Sequence, residues 1–237
     1  MSDTTQDYQE KPQEYWEYER TEMVPLIPEG VRRVLDVGCS GGVFGELLKS
    51  KRGCEVWGVE IHPSACREAE RRLDRVLQGE FGESLPLPRG AFDAVVFNDV
   101  LEHLVDPWAT LRFTEQLLTE TGVVVASIPS IRHFPTLWHL VVRKEWHYTD
   151  LGILDRTHLR FFTRQTIDDL FQEAGYQIVE IQGIQPFWNL DGDGDLWRYY
   201  KMLNLLTLGR ISDMKFLQYA VRARPACRTT VAVREKE

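Results

Sequence analysis

The chain has 237 residues, of which 43% are hydrophobic and 27% charged, with a formal net charge of −8. That size and balance fit one large soluble domain with a well-buried core. They exclude a broad nucleic-acid surface, which needs a basic stripe, and no apolar run is long enough to span a bilayer.

Residues 1–14 read as a disordered leader, polar and without a signal-peptide core. Residues 15–224 read as a single domain and 225–237 as a loose tail. Tyr15–Val24 predicts a helix against the sheet edge. Alternating patterns then begin. Strand one is Val34–Val37, followed by a helix over about Gly42–Ser50. Strand two is Glu55–Glu60, and a helix opens after Pro63, a residue suited to a first helical turn. Arg75–Leu77 is a short third strand. Phe92–Asn98 is a fourth, almost wholly apolar, as a parallel strand covered on both faces must be. Asp106-Pro107 opens a helix by N-cap and N1 logic, and Gly122–Ile128 is strand five. The βαβα alternation predicts a doubly wound α/β sheet of seven strands, mostly parallel, with helices on both faces and an antiparallel last strand.

The pattern breaks at about 130–160, which reads as a lid inserted over the ligand edge, with a short helix around Phe134–Val142. It carries His133, His139 and His147 and the aromatics Trp138, Trp146 and Tyr148. These aromatics, with Phe161 and Phe162, either wall an acceptor pocket or form the lid's own core. Thr163 caps a helix ending at Gly175. Tyr176–Ile184 is strand six, Leu196–Leu208 an amphipathic helix, and Phe216–Arg222 the last strand. Asp191–Asp195 reads as an acidic turn, not a calcium loop, because Met202 stands where the bidentate glutamate belongs. Cys39, Cys54, Cys66 and Cys227 sit at no metal-ligand spacing and read as reduced thiols in a cytoplasmic protein. No metal is expected, since no two histidines have a zincin-like spacing.

The stretch with the clearest chemistry is Val34-Leu35-Asp36-Val37-Gly38-Cys39-Ser40-Gly41-Gly42, followed by Glu60 at the end of strand two. A strand running into a glycine-rich turn, with a carboxylate after the next strand, suits an adenosine-type ligand at the carboxyl edge of the sheet. The turn departs from Gly-x-Gly-x-x-Gly, which speaks against a nicotinamide-dependent oxidoreductase, and it has no P-loop lysine.

This turn resembles motif I of the class I S-adenosylmethionine (SAM) dependent methyltransferases, with Ser40 where that family commonly has glycine. Further segments agree with the resemblance. Gly79-Glu80-Phe81 follows strand three, Asn98-Asp99-Val100-Leu101-Glu102-His103-Leu104 follows strand four, and Ser127-Ile128-Pro129 closes strand five. Asp155-Arg156-Thr157-His158-Leu159-Arg160-Phe161-Phe162-Thr163 is similar to a signature of a bacterial subgroup linked to sugar and metabolite methylation. The resemblance implies SAM as cofactor and S-adenosylhomocysteine as product. It implies cofactor contacts from Asp36, Gly38, Cys39, Ser40, Gly41 and Phe44. Glu60 would take the ribose diol, with Ile61 beside it. Gly79, Glu80 and Phe81 would serve the adenine, and Asn98, Asp99 and Val100 would close the site. Tyr15, Tyr18 and Arg20, just upstream of strand one, are further candidates.

Methyl transfer to a hydroxyl needs a base for the acceptor proton, and histidine suits that task near neutrality. His158 is the preferred base, with Asp155 orienting it or binding the acceptor, and His103 is its rival. The acceptor is expected to be a small molecule, most readily an oxygen of a sugar or related metabolite. Small-molecule N-methylation and a non-catalytic SAM-binding paralogue remain as alternatives. DNA amino-methylation is disfavoured, because Asn98-Asp99-Val100-Leu101 has no proline.

Overall fold

The computed structural model describes residues 19–189 and 196–226. The leader, Tyr15, Tyr18, the Asp191–Asp195 turn, Cys227 and the tail from 227 onward lie outside the described residues.

Seven strands form one sheet: β1 (Arg33–Val37), β2 (Glu55–Glu60), β3 (Arg75–Gln78), β4 (Phe92–Asn98), β5 (Leu118–Pro129), β6 (Tyr176–Pro186) and β7 (Phe216–Pro225). Their order is β3-β2-β1-β4-β5-β7-β6. The first five pair in parallel, whereas β7 runs antiparallel between β5 and β6. This is the doubly wound sheet expected from the alternation.

The helices are α1 (Val43–Arg52), α2 (Pro63–Ala69), α3 (Pro107–Glu115), α4 (Phe134–Trp138), α5 (Arg164–Glu173) and α6 (Leu196–Leu206). Their starts follow from local chemistry. Asp106 caps α3 by accepting from the Ala109 N–H at 2.8 Å, with Pro107 behind it. Thr163 and Thr166 form a reciprocal capping box on α5. The continuation of α4 is a π-helical turn over His139–Arg143, ended by left-handed Lys144.

One upstream expectation is corrected. The described part of the anticipated helix at 15–24 is a 3₁₀ turn over Thr21–Leu26, preceded by left-handed Arg20. The left-handed backbone of Arg20 interrupts any α-helix across this span, and Pro25, with no N–H to donate, lies inside the 3₁₀ turn that follows.

Two apolar clusters sandwich the sheet. One packs Leu35, Phe92, Phe97 and Val124 against Leu111, Ile167 and Phe171. The other packs Val34, Val56, Val96 and Val125 against Leu48, Met23 and Leu26. A third, smaller cluster lies apart, with Phe134, Phe187, Tyr200 and Met214 at its centre. It joins α4 to α6. The helical half of the 130–160 insertion therefore shares a core with the later amphipathic helix.

Candidate functional site

The site forms where β1, β2 and β4 end side by side, an edge fixed by the parallel register Val37↔Val59 and Val37↔Phe97. The turn after β1 is held by two N–H groups, Gly38 and Cys39, which both donate to the Val59 carbonyl, at 2.8 and 3.1 Å. Gly38, Ser40 and Gly42 all take left-handed conformations, with φ of 69°, 50° and 81°. A Cβ on Gly38 would lie 2.8 Å from Val100 Cγ2, and one on Gly42 would lie 3.0 Å from the Ala69 backbone. Gly41 has no positive φ, and a Cβ there would meet only the flexible side chains of Arg72 and Glu68. The strict glycine requirement thus falls on Gly38 and Gly42.

The side chains of this turn divide in direction. The Cys39 sulfur lies where a Cβ on Gly58 would be, only 2.5 Å away, so it points into the core. Burial pushes its thiol well up, aided by the neighbouring carboxylates. Phe44 also packs in the core. These two residues offer only backbone to the edge, whereas the buried Ser40 hydroxyl has no partner among the described residues.

Glu60 is the hub of the edge. Its carboxylate accepts from the Ser40 N–H at 2.9 Å and from the Ile61 and His62 N–H groups at 2.8 Å each. Beside it Ile61 is an exposed apolar side chain, 48% accessible, and forms an apolar wall. Asp36 lies buried at the end of β1, where burial and the Glu60 charge push its carboxyl up to about 8. Gly79 donates to the Glu60 carbonyl at 2.9 Å, which brings the end of β3 to the same edge. Phe81 sits edge-on to Phe97 and Phe113 at its apolar margin, and Glu80 precedes it in the chain.

After β4, both polar atoms of the Asn98 amide are buried with no partner among the described residues. Buried amides are nearly always paired, so the Asn98 amide is free, among the described residues, to meet a polar ligand group. Asp99, left-handed at φ 53°, forms an ion pair with Arg20 and accepts from Gln218 Nε2 at 2.7 Å. Arg20 also donates to Gln218 Oε1 at 2.7 Å. Of the three upstream candidates, Arg20 therefore reaches the edge.

SAM fits this edge on three local grounds. Left-handed glycines let backbone approach closely. A buried carboxylate pre-oriented by three N–H groups suits a diol. The unpartnered Ser40 and Asn98 groups await polar atoms.

Past Asn98 the chain turns through a 3₁₀ segment, Leu101–His103. The Glu102 carbonyl accepts from the Leu159 and Arg160 N–H groups, at 2.9 and 3.0 Å, and so clamps the 155–160 segment against it. The clamp brings the two rival histidines together, with ring centroids 4.6 Å apart and planes at 73°. His158 Nδ1 lies 2.9 Å from the Ile153 carbonyl. His103 Nδ1 lies 3.2 Å from the Thr157 carbonyl and 3.0 Å from its hydroxyl. A carbonyl can only accept, so both rings carry their proton on Nδ1 when neutral, leaving Nε2 as the basic nitrogen.

Asp155 is tied to Thr157, and through it to His103. Its carboxylate accepts from the Thr157 hydroxyl at 2.7 Å and the Thr157 N–H at 2.9 Å, and Thr157 in turn holds His103. His158 Nε2 instead faces buried Glu102, 3.9 Å from Oε1. Glu102, His103 and His158 each present a ligand atom, all within 4.8 Å of one another. Sequence spacing concealed this set, because its members come from two distant segments.

The remaining insertion histidines lie elsewhere. Burial pushes His133 down to about 4, and His139 lies 3.2 Å from Glu145. Both line a cavity of about 310 Å³ with Glu145, His147, Thr149 and Ile153. Trp138 stacks on Tyr199 in the α4–α6 cluster, Trp146 meets Phe161 edge-on, Phe162 is buried in the main core, and Tyr148 is half exposed. Cys39, Cys54 and Cys66 are free, buried thiols. No helix among the described residues is long and apolar enough to cross a membrane.

Comparison with known proteins agrees with this geometry. A family described as a methyltransferase domain matches residues 7–181. The chain is 28% identical over 173 residues to a ubiquinone biosynthesis O-methyltransferase of Cereibacter sphaeroides, covering 71% of this chain and 69% of that protein. It is 27% identical over 206 residues to the protein of the same name from Xanthomonas axonopodis pv. citri, covering 83% and 78%. Its fold matches the crystal structure of a SAM-dependent methyltransferase from Archaeoglobus fulgidus, with a TM-score of 0.65 at 22% identity over 93% of this chain and 97% of that one.

Proposed function

Because the chain belongs to the methyltransferase-domain family and is a SAM-dependent methyltransferase, we propose that it methylates an oxygen of a small polar acceptor, a sugar or related metabolite. The observation that carries this reading is the pair His103 and His158. Each has Nδ1–H tied to a backbone carbonyl, beside a buried glutamate at the carboxyl end of β4. An oxygen acceptor needs such a base, whereas an amine deprotonated beforehand does not. The relatives named as O-methyltransferases support the same atom type.

The reaction is an in-line displacement on the sulfonium methyl. The acceptor oxygen bonds the methyl carbon, the carbon–sulfur bond breaks, S-adenosylhomocysteine leaves, and the hydroxyl proton passes to imidazole Nε2. His103 is the base we favour. Asp155 and Thr157 orient its ring through Nδ1, and it is more accessible than His158, whose side chain is 6% exposed. His158, with Nε2 toward Glu102, positions the acceptor side of the pair. A second reading uses the same three groups, Glu102, His103 and His158, as donors for a small divalent cation that would activate the acceptor hydroxyl.

The test is a screen of sugars, nucleotide sugars and phenols with labelled SAM, repeated for His103→Ala and His158→Ala. Loss of the base lowers the transfer rate by about 10²–10⁴, with SAM affinity within about threefold of the parent. If both variants keep their activity, the acceptor is a nitrogen and the oxygen reading fails. Loss of activity on chelation, restored by one divalent cation, selects the second reading.

A further inference from the structure

We propose that Arg72 is a positioning residue for the cofactor turn. Its guanidinium holds the peptide unit between Gly41 and Gly42 in the one orientation that keeps the turn closed. This rests on the placement of SAM at the edge where β1, β2 and β4 end, and it does not depend on the acceptor or the base.

The unit between two glycines is the softest point of the turn, because neither neighbour carries a Cβ to bar its rotation. In the structure both of its ends are held. The Gly42 N–H donates to the Cys39 carbonyl at 2.9 Å, and the Gly41 carbonyl accepts from Arg72 Nη1. Turning the unit over would take Gly42 out of its left-handed φ of 81°. It would also set the Gly41 oxygen against the Cys39 oxygen, two acceptors with no proton between them. The turn would then have to open. Ser40 directly precedes this unit, and its N–H meets the Glu60 carboxylate at 2.9 Å. An open turn therefore releases one of the three donors that orient Glu60.

Arg72 is itself set in place from both neighbouring helices. It follows α2, where its own N–H donates to the Ala69 carbonyl at 3.0 Å. Its carbonyl accepts from Lys49 Nζ of α1 at 3.0 Å. Its Nε lies 3.4 Å from Glu46 of α1, and its Nη1 lies 3.9 Å from Glu68 of α2. Ion pairs as exposed as these contribute little stability, so what Glu46 and Glu68 supply is direction. The planar guanidinium can turn Nε to Glu46 and Nη1 to the Gly41 carbonyl at once, which a lysine ammonium cannot do. The same contact accounts for the glycine at 41, which has no positive φ. A Cβ there would stand 3.1 Å from Arg72 Nη1 and 3.1 Å from a Glu68 oxygen. Glycine leaves that space to the guanidinium.

The test is calorimetry of the whole chain with S-adenosylhomocysteine, together with hydrogen exchange at the Gly42 amide. In Arg72→Ala the closed turn should fall to about a tenth of the molecules, which lowers the affinity about tenfold. The Gly42 amide of the free variant should exchange faster than in the parent. Saturating S-adenosylhomocysteine should restore its protection, because the ligand selects the closed turn. Arg72→Lys keeps a cationic donor and should lie between parent and alanine variant in both readouts. It takes the place of the alanine variant if that chain does not fold. A folded Arg72→Ala with affinity within about twofold of the parent, or with unchanged Gly42 protection, overturns the proposal. A lower Tm at parental affinity overturns it likewise, since Arg72 would then be a tie of the fold alone. Glu60→Ala, measured alongside, separates the two assignments. If it loses affinity while Arg72→Ala does not, only the role of Arg72 falls. If both variants bind as the parent does, the cofactor does not sit on this edge, and the role of Arg72 falls with it.

Discussion

Glu60→Ala removes the carboxylate on which the turn after β1 and the start of α2 converge. Three backbone N–H groups donate to it within 2.9 Å, so its orientation is set before any ligand arrives. Charge-assisted hydrogen bonds contribute about 1.5–3 kcal/mol each in a sheltered site. If Glu60 takes both ribose hydroxyls, and water partly replaces it in the variant, the net loss is about 2–4 kcal/mol, or about 30- to 1,000-fold in SAM affinity. Glu60→Gln should bind nearly as poorly. Its amide retains one acceptor oxygen but turns an NH₂ toward N–H groups that need an acceptor. Calorimetry with S-adenosylhomocysteine and its 2′-deoxyribose analogue separates a direct contact from a deformed turn. In the parent the deoxy compound should bind more weakly. In Glu60→Ala the two should bind alike. If the deoxy penalty survives in a folded Glu60→Ala, or if affinity stays within twofold of the parent, the assignment of Glu60 to the ribose is wrong.

Asp36 makes the site sensitive to pH. Burial and the Glu60 charge raise its carboxyl from 3.8 to about 8, so the folded protein holds a proton that the unfolded chain has released. Stability from this group is fully present below about pH 4 and is lost as pH rises through about 8. Thermal melts between these limits should show Tm falling with pH, and Asp36→Asn should flatten the slope. A cationic sulfonium arriving beside Asp36 should also expel that proton. The binding enthalpy of SAM at neutral pH should then vary with the ionisation enthalpy of the buffer, and a buffer-independent enthalpy would count against the contact. In the turn itself, Gly42→Ala should destabilise the fold by about 1–2 kcal/mol, since it combines a left-handed φ with a backbone approach. Gly41→Ala should cost much less, and denaturant titration of the pair distinguishes them. Ser40→Gly should raise Tm by about 2–4 °C by relieving a left-handed serine.

The sheet was readable because its parallel strands are buried on both faces and so appear as short apolar runs, as in Phe92–Asn98. The place of Glu60 at the sheet edge was readable because it directly follows such a run. What sequence spacing cannot carry is direction. Cys39 and Phe44 stand in the ligand turn yet send their side chains into the core, and which glycine takes positive φ is a property of the closed turn. Nor does spacing report convergence. His103 and His158 were rivals on paper and are neighbours in space, because two N–H bonds to the Glu102 carbonyl fold one segment onto the other. The aromatics at 134–138 read as a lid, and no local pattern says that their packing partners are Phe187 and Tyr200.

The position of β7 ties the order of synthesis to the order of assembly. β1–β5 pair among themselves, so the half of the sheet that bears Glu60 and Asn98 can form on the ribosome before the last strand is made. β6 cannot join that half directly. It pairs only with β7, and β7 must slot between β6 and an edge of β5 that stays open until then. Gln218, which fastens Asp99 and Arg20, arrives on that same strand. A nascent chain stalled before residue 216 would therefore carry the cofactor half with a bare sheet edge, a surface that chaperones bind and proteases find. Completion of the last strand is the step that turns a sticky intermediate into an enzyme.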